Sequence, residues 1–235
     1  MKKVVVVTGG SSGIGKFLIK NLAKRNFFII NLSRKKTLIR SKNYQNIILE
    51  NFDDHEKLKI IFKSIKKKHK RIFGLINNAG ATFEGYSFKN FKNNLDINLN
   101  FTFNVTNLVL PLIVRGGKII NISSIASYVG LPNNPGYNAS KAAINSLTRS
   151  FATDYSSKKI NVNSLVLGYF PTKMTNKSFK DKLKKKIVRK NTILNRWGKL
   201  DEIIGPIEFL LSSKSSYITG QSIVVDGGWI VKGLK

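Results

Sequence analysis

Val4-Val5-Val6-Val7-Thr8-Gly9-Gly10-Ser11-Ser12-Gly13-Ile14-Gly15 lies near the start of the chain, and its reading decides the fold. Four consecutive β-branched residues, bounded by a glycine-rich turn, read as a strand buried on both faces, as in parallel sheets. The residues after the turn predict a helix near Lys16 to Arg25. A pyrophosphate needs backbone N–H groups at a helix N-terminus, with no side chain in the way. Glycines at 9, 13 and 15 give that clearance, so Gly9, Ser11, Ser12, Gly13, Ile14 and Gly15 are the candidate cradle. The spacing is wider than G-x-G-x-x-G, and a glycine turn after a strand is often no more than a turn.

Downstream, short β-branched runs alternate with longer amphipathic stretches, which argues for a parallel sheet wrapped by helices. Strands are predicted at Phe27 to Leu32, Ile47 to Leu49, Gly74 to Ile76, Lys118 to Ser123, Ile160 to Leu167 and Ser222 to Val225. Helices are predicted from a cap at Asp53 or Asp54 to about Lys70, over Phe91 to Ile113, over Tyr137 to Tyr155, over a lysine-rich Met174 to Lys190, and over Asp201 to Leu211. No repeat, long linker or composition break interrupts the pattern. The expectation is one α/β domain over 1–235: a single Rossmann-type, doubly wound parallel sheet with helices on both faces.

The 235 residues carry no cysteine, which excludes disulfides, thiolate metal sites and cysteine nucleophiles. The opening valines are too few for a signal-peptide core, and no stretch approaches a membrane span. A cytoplasmic protein without a membrane partner is the default reading. The net charge of +29 would suit a nucleic-acid partner. Yet 33 of the 41 basic residues are lysine, whereas base reading and phosphate forks favour arginine. Basic runs such as Lys66-Lys67-Lys68 and Lys184-Lys185-Lys186 then read as solvated helix faces. No specific nucleic-acid partner is expected, only a salt-sensitive attraction to polyanions.

Tyr137-Asn138-Ala139-Ser140-Lys141 sets a tyrosine and a lysine four residues apart, on one face of a helix. A phenol exchanges protons poorly at neutral pH unless its anion is stabilised. A neighbouring ammonium would do that. Alone, the pair would read as a core tyrosine and a solvated lysine. Ser124, thirteen residues upstream at a strand end, could hold a reacting oxygen.

Taken together, the glycine turn, Asn77 to Gly80, Asn98, Ser124 and Tyr137/Lys141 resemble the short-chain dehydrogenase/reductase family in order and spacing, from Val4 to about Trp229. The resemblance implies that Tyr137 is the general acid for reduction and the base for oxidation. Lys141 would lower its pKa and bind the nicotinamide ribose, and Ser124 would orient the substrate oxygen. Asn98 would hold a water linking Lys141 to solvent, while Asn78, Ala79 and Gly80 would support the adenosine side and the sheet. Asn51 and Phe52 match a position that contacts adenine, and Gly168 and Thr172 match a turn near the nicotinamide. Leu167 stands where proline is usual, and Pro171 adds stiffness there. At the end of the second strand, Asn31-Leu32-Ser33-Arg34 lacks the acidic residue of NAD users. Arg34 and Ser33 resemble an NADP(H) site for a 2′-phosphate, with NAD(H) the alternative. The segment 173–192 would be a substrate lid whose lysines could favour an acidic substrate. Tyr217 to Gln221 and Asp226 to Gly228 resemble the C-terminal signature, and a homotetramer or homodimer is the implied assembly. The activity implied is hydride exchange with a small-molecule carbonyl or secondary alcohol. The substrate could be a 3-oxoacyl-carrier-protein, or a sugar or secondary-metabolite intermediate. A non-catalytic NADP(H) sensor is the reading of a different class.

Overall fold

Val5 and Val7 face one side of the first strand and Val6 the other, so the valine run feeds two cores. The structure is a computed structural model describing residues 2–232. It places the run in β1 (Lys3–Thr8), an interior strand of a seven-stranded sheet. The order is β3-β2-β1-β4-β5-β6-β7, and every pairing is parallel. The other strands are β2 (Phe27–Ser33), β3 (Tyr44–Ile48), β4 (Ile72–Asn77), β5 (Ile113–Ser124), β6 (Asn161–Leu167) and β7 (Ser222–Val225).

Parallel neighbours require long crossovers, here helical. Helices α1 (Gly13–Leu22) and α8 (Asp201–Leu210) cover Val5 and Val7, with Leu18, Ile19, Leu22, Ile203, Ile207 and Leu210 in that core. Helices α2 (His55–His69), α4 (Phe101–Val109) and α5 (Pro135–Asp154) cover Val6. The chain winds outward from β1 to β3, then returns to lay β4 against the other side of β1. Doubly wound sheets bind ligands in the crevice outside the strand ends at such a reversal.

Several predicted elements are redrawn, two of them near the crevice. Helix α1 begins at Gly13 rather than Lys16, because its first turn is the glycine turn itself. The helix expected over Phe91 to Ile113 is instead α3 (Phe88–Leu95), a π-helical turn at Asp96–Asn100, α4, and a 3₁₀ turn at Leu110–Leu112. The apolar run around Leu108 to Val114 suits helix and strand equally; Pro111 and pairing of Ile113 with Ile72 decide for β5. Between Ile113 and Lys118 that strand bulges around Gly116, at φ +79°.

Candidate active site

Gly9 and Gly13 take positive φ, +72° and +51°, so the glycine turn has a backbone that L residues rarely adopt. A Cβ on Gly9 would stand 2.6 Å from Ala79 Cα, which ties the turn against the end of β4. Asn78 fastens the same junction, donating through Nδ2 to the carbonyls of Thr8 (3.0 Å) and Gly9 (3.2 Å). The Thr8 hydroxyl accepts from the N–H groups of Asn78 and Ala79, both at 3.0 Å. Ser12, the N-cap of α1, makes no side-chain cap bond and leaves the first-turn donors facing the crevice. Gly10, absent from the predicted cradle, is equally constrained: its N–H donates to Asn31 Oδ1 at 3.0 Å. Asn31 in turn donates to Asn46 Oδ1 at 2.7 Å, so a buried polar network underpins the turn. This cradle fits a dinucleotide pyrophosphate.

At the end of β2, Arg34 is exposed and its guanidinium lies 5.3 Å from the Phe52 ring centroid. Lys35 and Lys36 follow it, and no carboxylate pairs with Arg34 among the described residues. Ser33 does not join it. That side chain is fully buried and donates to the Lys35 carbonyl at 2.8 Å, because β2 turns alternate residues inward. Phe52 is also inward, stacked on Phe101 at 4.1 Å, so its ring belongs to the core. Asn51 is exposed and accepts from the Asp53 N–H at 3.0 Å.

The residues expected to handle the proton come together at the end of β5 and the first turns of α5. Ser124 closes β5, and its hydroxyl lies alongside the Tyr137 phenol. Burial raises the Tyr137 pKa, while the Ser124 hydrogen bond lowers it. Lys141, one turn along α5, sits 5.7 Å from the Tyr137 ring centroid and is 5% exposed. Its ammonium donates to the Ile122 carbonyl at 2.9 Å. Among the described residues no carboxylate pairs with it, and burial lowers its pKa to about 8. A buried ammonium without a counter-ion favours an anion forming beside it, here the phenolate.

Asn98 lies on the π-helical turn, a local widening of the kind that recurs at functional sites. Its side chain clamps Ala81, accepting from the N–H (2.9 Å) and donating to the carbonyl (3.0 Å), and also donates to Ser140 Oγ at 3.1 Å. Gly80 sits at this end, not on the adenosine side: a Cβ there would stand 3.1 Å from Asn98 Oδ1 and 3.6 Å from Lys141 Nζ. The tight neighbour is the Asn98 oxygen, while the ammonium would stand at ordinary contact distance.

Across the crevice, Gly168 packs on Asp226, where a Cβ would approach Cα to 2.7 Å. Thr172 faces the cradle, 3.6 Å from a Cβ built on Gly13, and exchanges hydrogen bonds with Thr175. The segment expected to be a lid forms α6 (Asn176–Lys180) and α7 (Lys182–Asn191), joined through the capping Asp181. Lys182, Lys185, Lys186, Arg189, Lys190 and Lys232 line a groove of about 710 Å³ on its surface. Sequence reading missed Tyr169, whose charge the Tyr137 phenol feels, and the indoles of Trp197 and Trp229 around it, at 5.3 and 5.0 Å. Position next to Gly168 was the available signal.

A parallel sheet reversing at β1/β4, a glycine cradle there, and a half-buried tyrosine beside a buried lysine together define a dinucleotide-dependent oxidoreductase. Residues 9–230 match the sequence profile of the family described as enoyl-(acyl carrier protein) reductase. The 2-dehydro-3-deoxy-D-gluconate 5-dehydrogenase of Bacillus subtilis is 35% identical, over 97% of this chain and 94% of that one. The 3-oxoacyl-[acyl-carrier-protein] reductase of Thermotoga maritima is 32% identical, over 97% and 98%. Among solved structures, a gluconate 5-dehydrogenase from Burkholderia cenocepacia in complex with NADP and tartrate aligns with a TM-score of 0.91 at 26% identity, over 99% and 97% of the two chains. The chain belongs to the short-chain dehydrogenase/reductase family. Among the described residues, no helix is long and apolar enough to cross a membrane, and no cluster of three metal-ligating side chains occurs.

Proposed function

We propose that this chain is an NADP(H)-dependent reductase or dehydrogenase of a carbonyl/secondary-alcohol pair, with Tyr137 as its acid and base. The observation that carries the reading is the meeting of the Tyr137 phenol, the Ser124 hydroxyl and the unpaired Lys141 ammonium at the mouth of the glycine cradle. When bound, the nicotinamide supplies a hydride to the carbonyl carbon and is itself oxidised. Ser124 holds the carbonyl oxygen. As the C=O π bond breaks, the Tyr137 O–H bond breaks with it and its proton passes to that oxygen. The Lys141 ammonium stabilises the phenolate left behind until a proton returns from solvent; oxidation runs the same steps in reverse. Asn98 positions Lys141 by holding Ala81 and Ser140, and with Gly80 it marks where a relaying water would lie.

For the cofactor, the first-turn N–H groups of α1 suit the pyrophosphate and Thr172 the nicotinamide end. Arg34, with no carboxylate beside it, suits a 2′-phosphate; the NADP complex of the Burkholderia enzyme supports that choice. A passive sensor has no use for a buried, uncompensated lysine beside a phenol, which favours catalysis. The substrate classes in the relatives' names, an acyl-carrier-protein thioester and sugar acids, define the arms of the test. A carbonyl and alcohol panel containing both is followed by NADPH absorbance. Turnover with NADPH preferred over NADH is expected. Binding of NADPH with no turnover anywhere in the panel would leave the sensor reading in its place.

A further inference from the structure

Tyr169 follows Gly168 in the turn beyond β6, at the strand ends where Ser124 and Tyr137 also lie. Its position is tightly fixed. The Gly168 N–H donates to the Val225 carbonyl at 3.0 Å, and the Tyr169 carbonyl accepts from the Gly198 N–H at 3.0 Å. Trp197 meets its ring edge-on at 5.3 Å, and Trp229 tilts against it at 5.0 Å. The Trp197 loop is held by a two-pronged bond from Arg196 to Glu202, at 2.8 and 2.5 Å. These contacts use the backbone and the ring, and phenylalanine would satisfy all of them. The hydroxyl is surplus to packing.

That hydroxyl belongs to a half-buried residue, has no hydrogen-bond partner among the described residues, and follows two positions after Leu167, the partner of Ser124 in the sheet; the Tyr137 phenol feels its charge. Because the hydroxyl is not sealed from water, its donor and acceptor capacity is open to a ligand. The partner it lacks within the chain is one a substrate can supply. An oxygen held by Tyr137 and Ser124 is the reacting one. A second phenol near it suits an oxygen on a carbon next to the reacting carbon, the spacing of a hydroxy-ketone or a vicinal diol. Flanking indoles suit the C–H faces of a polyhydroxylated chain or ring.

We infer that the Tyr169 hydroxyl forms a substrate subsite for an oxygen on the carbon adjacent to the reacting carbonyl, selecting α-hydroxy-ketones over simple ketones and acyl thioesters. The inference rests on the acid/base role proposed for Tyr137 and names the substrate class of that same site.

Two matched pairs test it: 2-hydroxycyclohexanone against cyclohexanone, and acetoin against butanone, each reduced with NADPH by the wild type and by Tyr169→Phe. The wild type is expected to favour the hydroxylated member by about tenfold or more in kcat/KM, as one added hydrogen bond allows. Tyr169→Phe is expected to lose that preference, the kcat/KM ratio within each pair falling to about one. Equal kcat/KM for the two members of each pair in the wild type overturns the subsite, without reference to any variant. So does a preference that survives in Tyr169→Phe, an equal loss on both members, or turnover confined to acyl thioesters. If the wild type reduces nothing in this set or the wider panel, the proposed activity itself fails. NADPH binding and the thermal midpoint of Tyr169→Phe identify a folding defect, and the wild-type comparison then decides alone.

Discussion

Two helices border the same crevice and follow opposite rules. Helix α5 is 20 residues long and buries Ser140, Lys141, Ile144, Thr148 and Phe151 against the sheet. Helix α7 is 10 residues long, buries only Val188, and leaves Leu183 and Ile187 exposed among its lysines. The first holds groups whose chemistry depends on placement to a fraction of an ångström, so it belongs to the rigid core. The second touches little of the core and can move without unfolding it, which suits a segment that closes over ligand. In the proposed function, acid/base chemistry would belong to the floor and substrate grip to the rim.

The largest effect that could break this division is at Tyr137. Tyr137→Phe keeps the ring and removes the exchanging proton. Its kcat is expected to fall by about 10³-fold or more, the scale of general acid–base catalysis, with NADPH affinity unchanged in a direct titration. A variant keeping a tenth of wild-type turnover would show that the floor does not supply the proton.

Lys141 sharpens the comparison by separating stability from activity. Lowering a lysine from 10.5 to about 8 means the folded state disfavours its charge by about 3 kcal/mol at neutral pH. Lys141→Met removes that penalty. The variant is expected to lose about 100-fold in kcat, yet to melt at a higher temperature than the wild type at pH 7. The sign follows from proton counting. Between about pH 8 and 10.5 the unfolded chain binds more protons at this lysine than the folded one, so its contribution to stability rises with pH. The variant's advantage should therefore shrink from pH 7 to pH 10 in paired thermal melts. A constant gap, or a wild type more stable at pH 7, would mean the ammonium is compensated in the free protein.

The floor was legible in the sequence because its residues sit at fixed intervals on regular elements. Tyr137 and Lys141 share a helix face, Ser124 ends a strand, and the glycines lie between a strand and a helix. The four-valine strand, its alternating inward faces and the parallel sheet were readable for the same reason. What escaped depends on contacts between distant segments. Gly80 beside Lys141, Asn31 beneath Gly10, and Tyr169 between Trp197 and Trp229 join residues far apart in the chain. The inward turn of Ser33 was missed because the strand ends one residue later than read, at Ser33 itself. The π-helical turn leaves no mark in the apolar pattern that suggested one long helix.

Arg34 asks whether exposure alone marks a residue as expendable. It is as open to solvent as the lid lysines, yet it follows directly on β2 and packs over Phe52, so its guanidinium starts from a defined place. Arg34→Asp replaces a phosphate fork with a repelling charge. The KM for NADPH is expected to rise about 30-fold and that for NADH by no more than about twofold, a difference of about 1–2 kcal/mol. Equal losses for both cofactors in steady-state assays would remove Arg34 from phosphate recognition.

The smallest effect is expected on the lid, where the contrast is most easily lost. Leu183 and Ile187 are 67% and 47% exposed, so truncating both to alanine removes little buried surface. The thermal midpoint should shift by no more than the equivalent of about 0.5 kcal/mol, as for ordinary surface substitutions. If these side chains close over ligand, their loss appears only when substrate is present: KM should rise about two- to fivefold with kcat unchanged, the pattern of uniform binding removed. A clear fall in the melting temperature without ligand would place α7 in the folding core and erase the distinction from α5. An unchanged KM would leave the lid's apolar residues outside the closed site, with its grip on substrate resting on Trp197 and the turn that carries Tyr169.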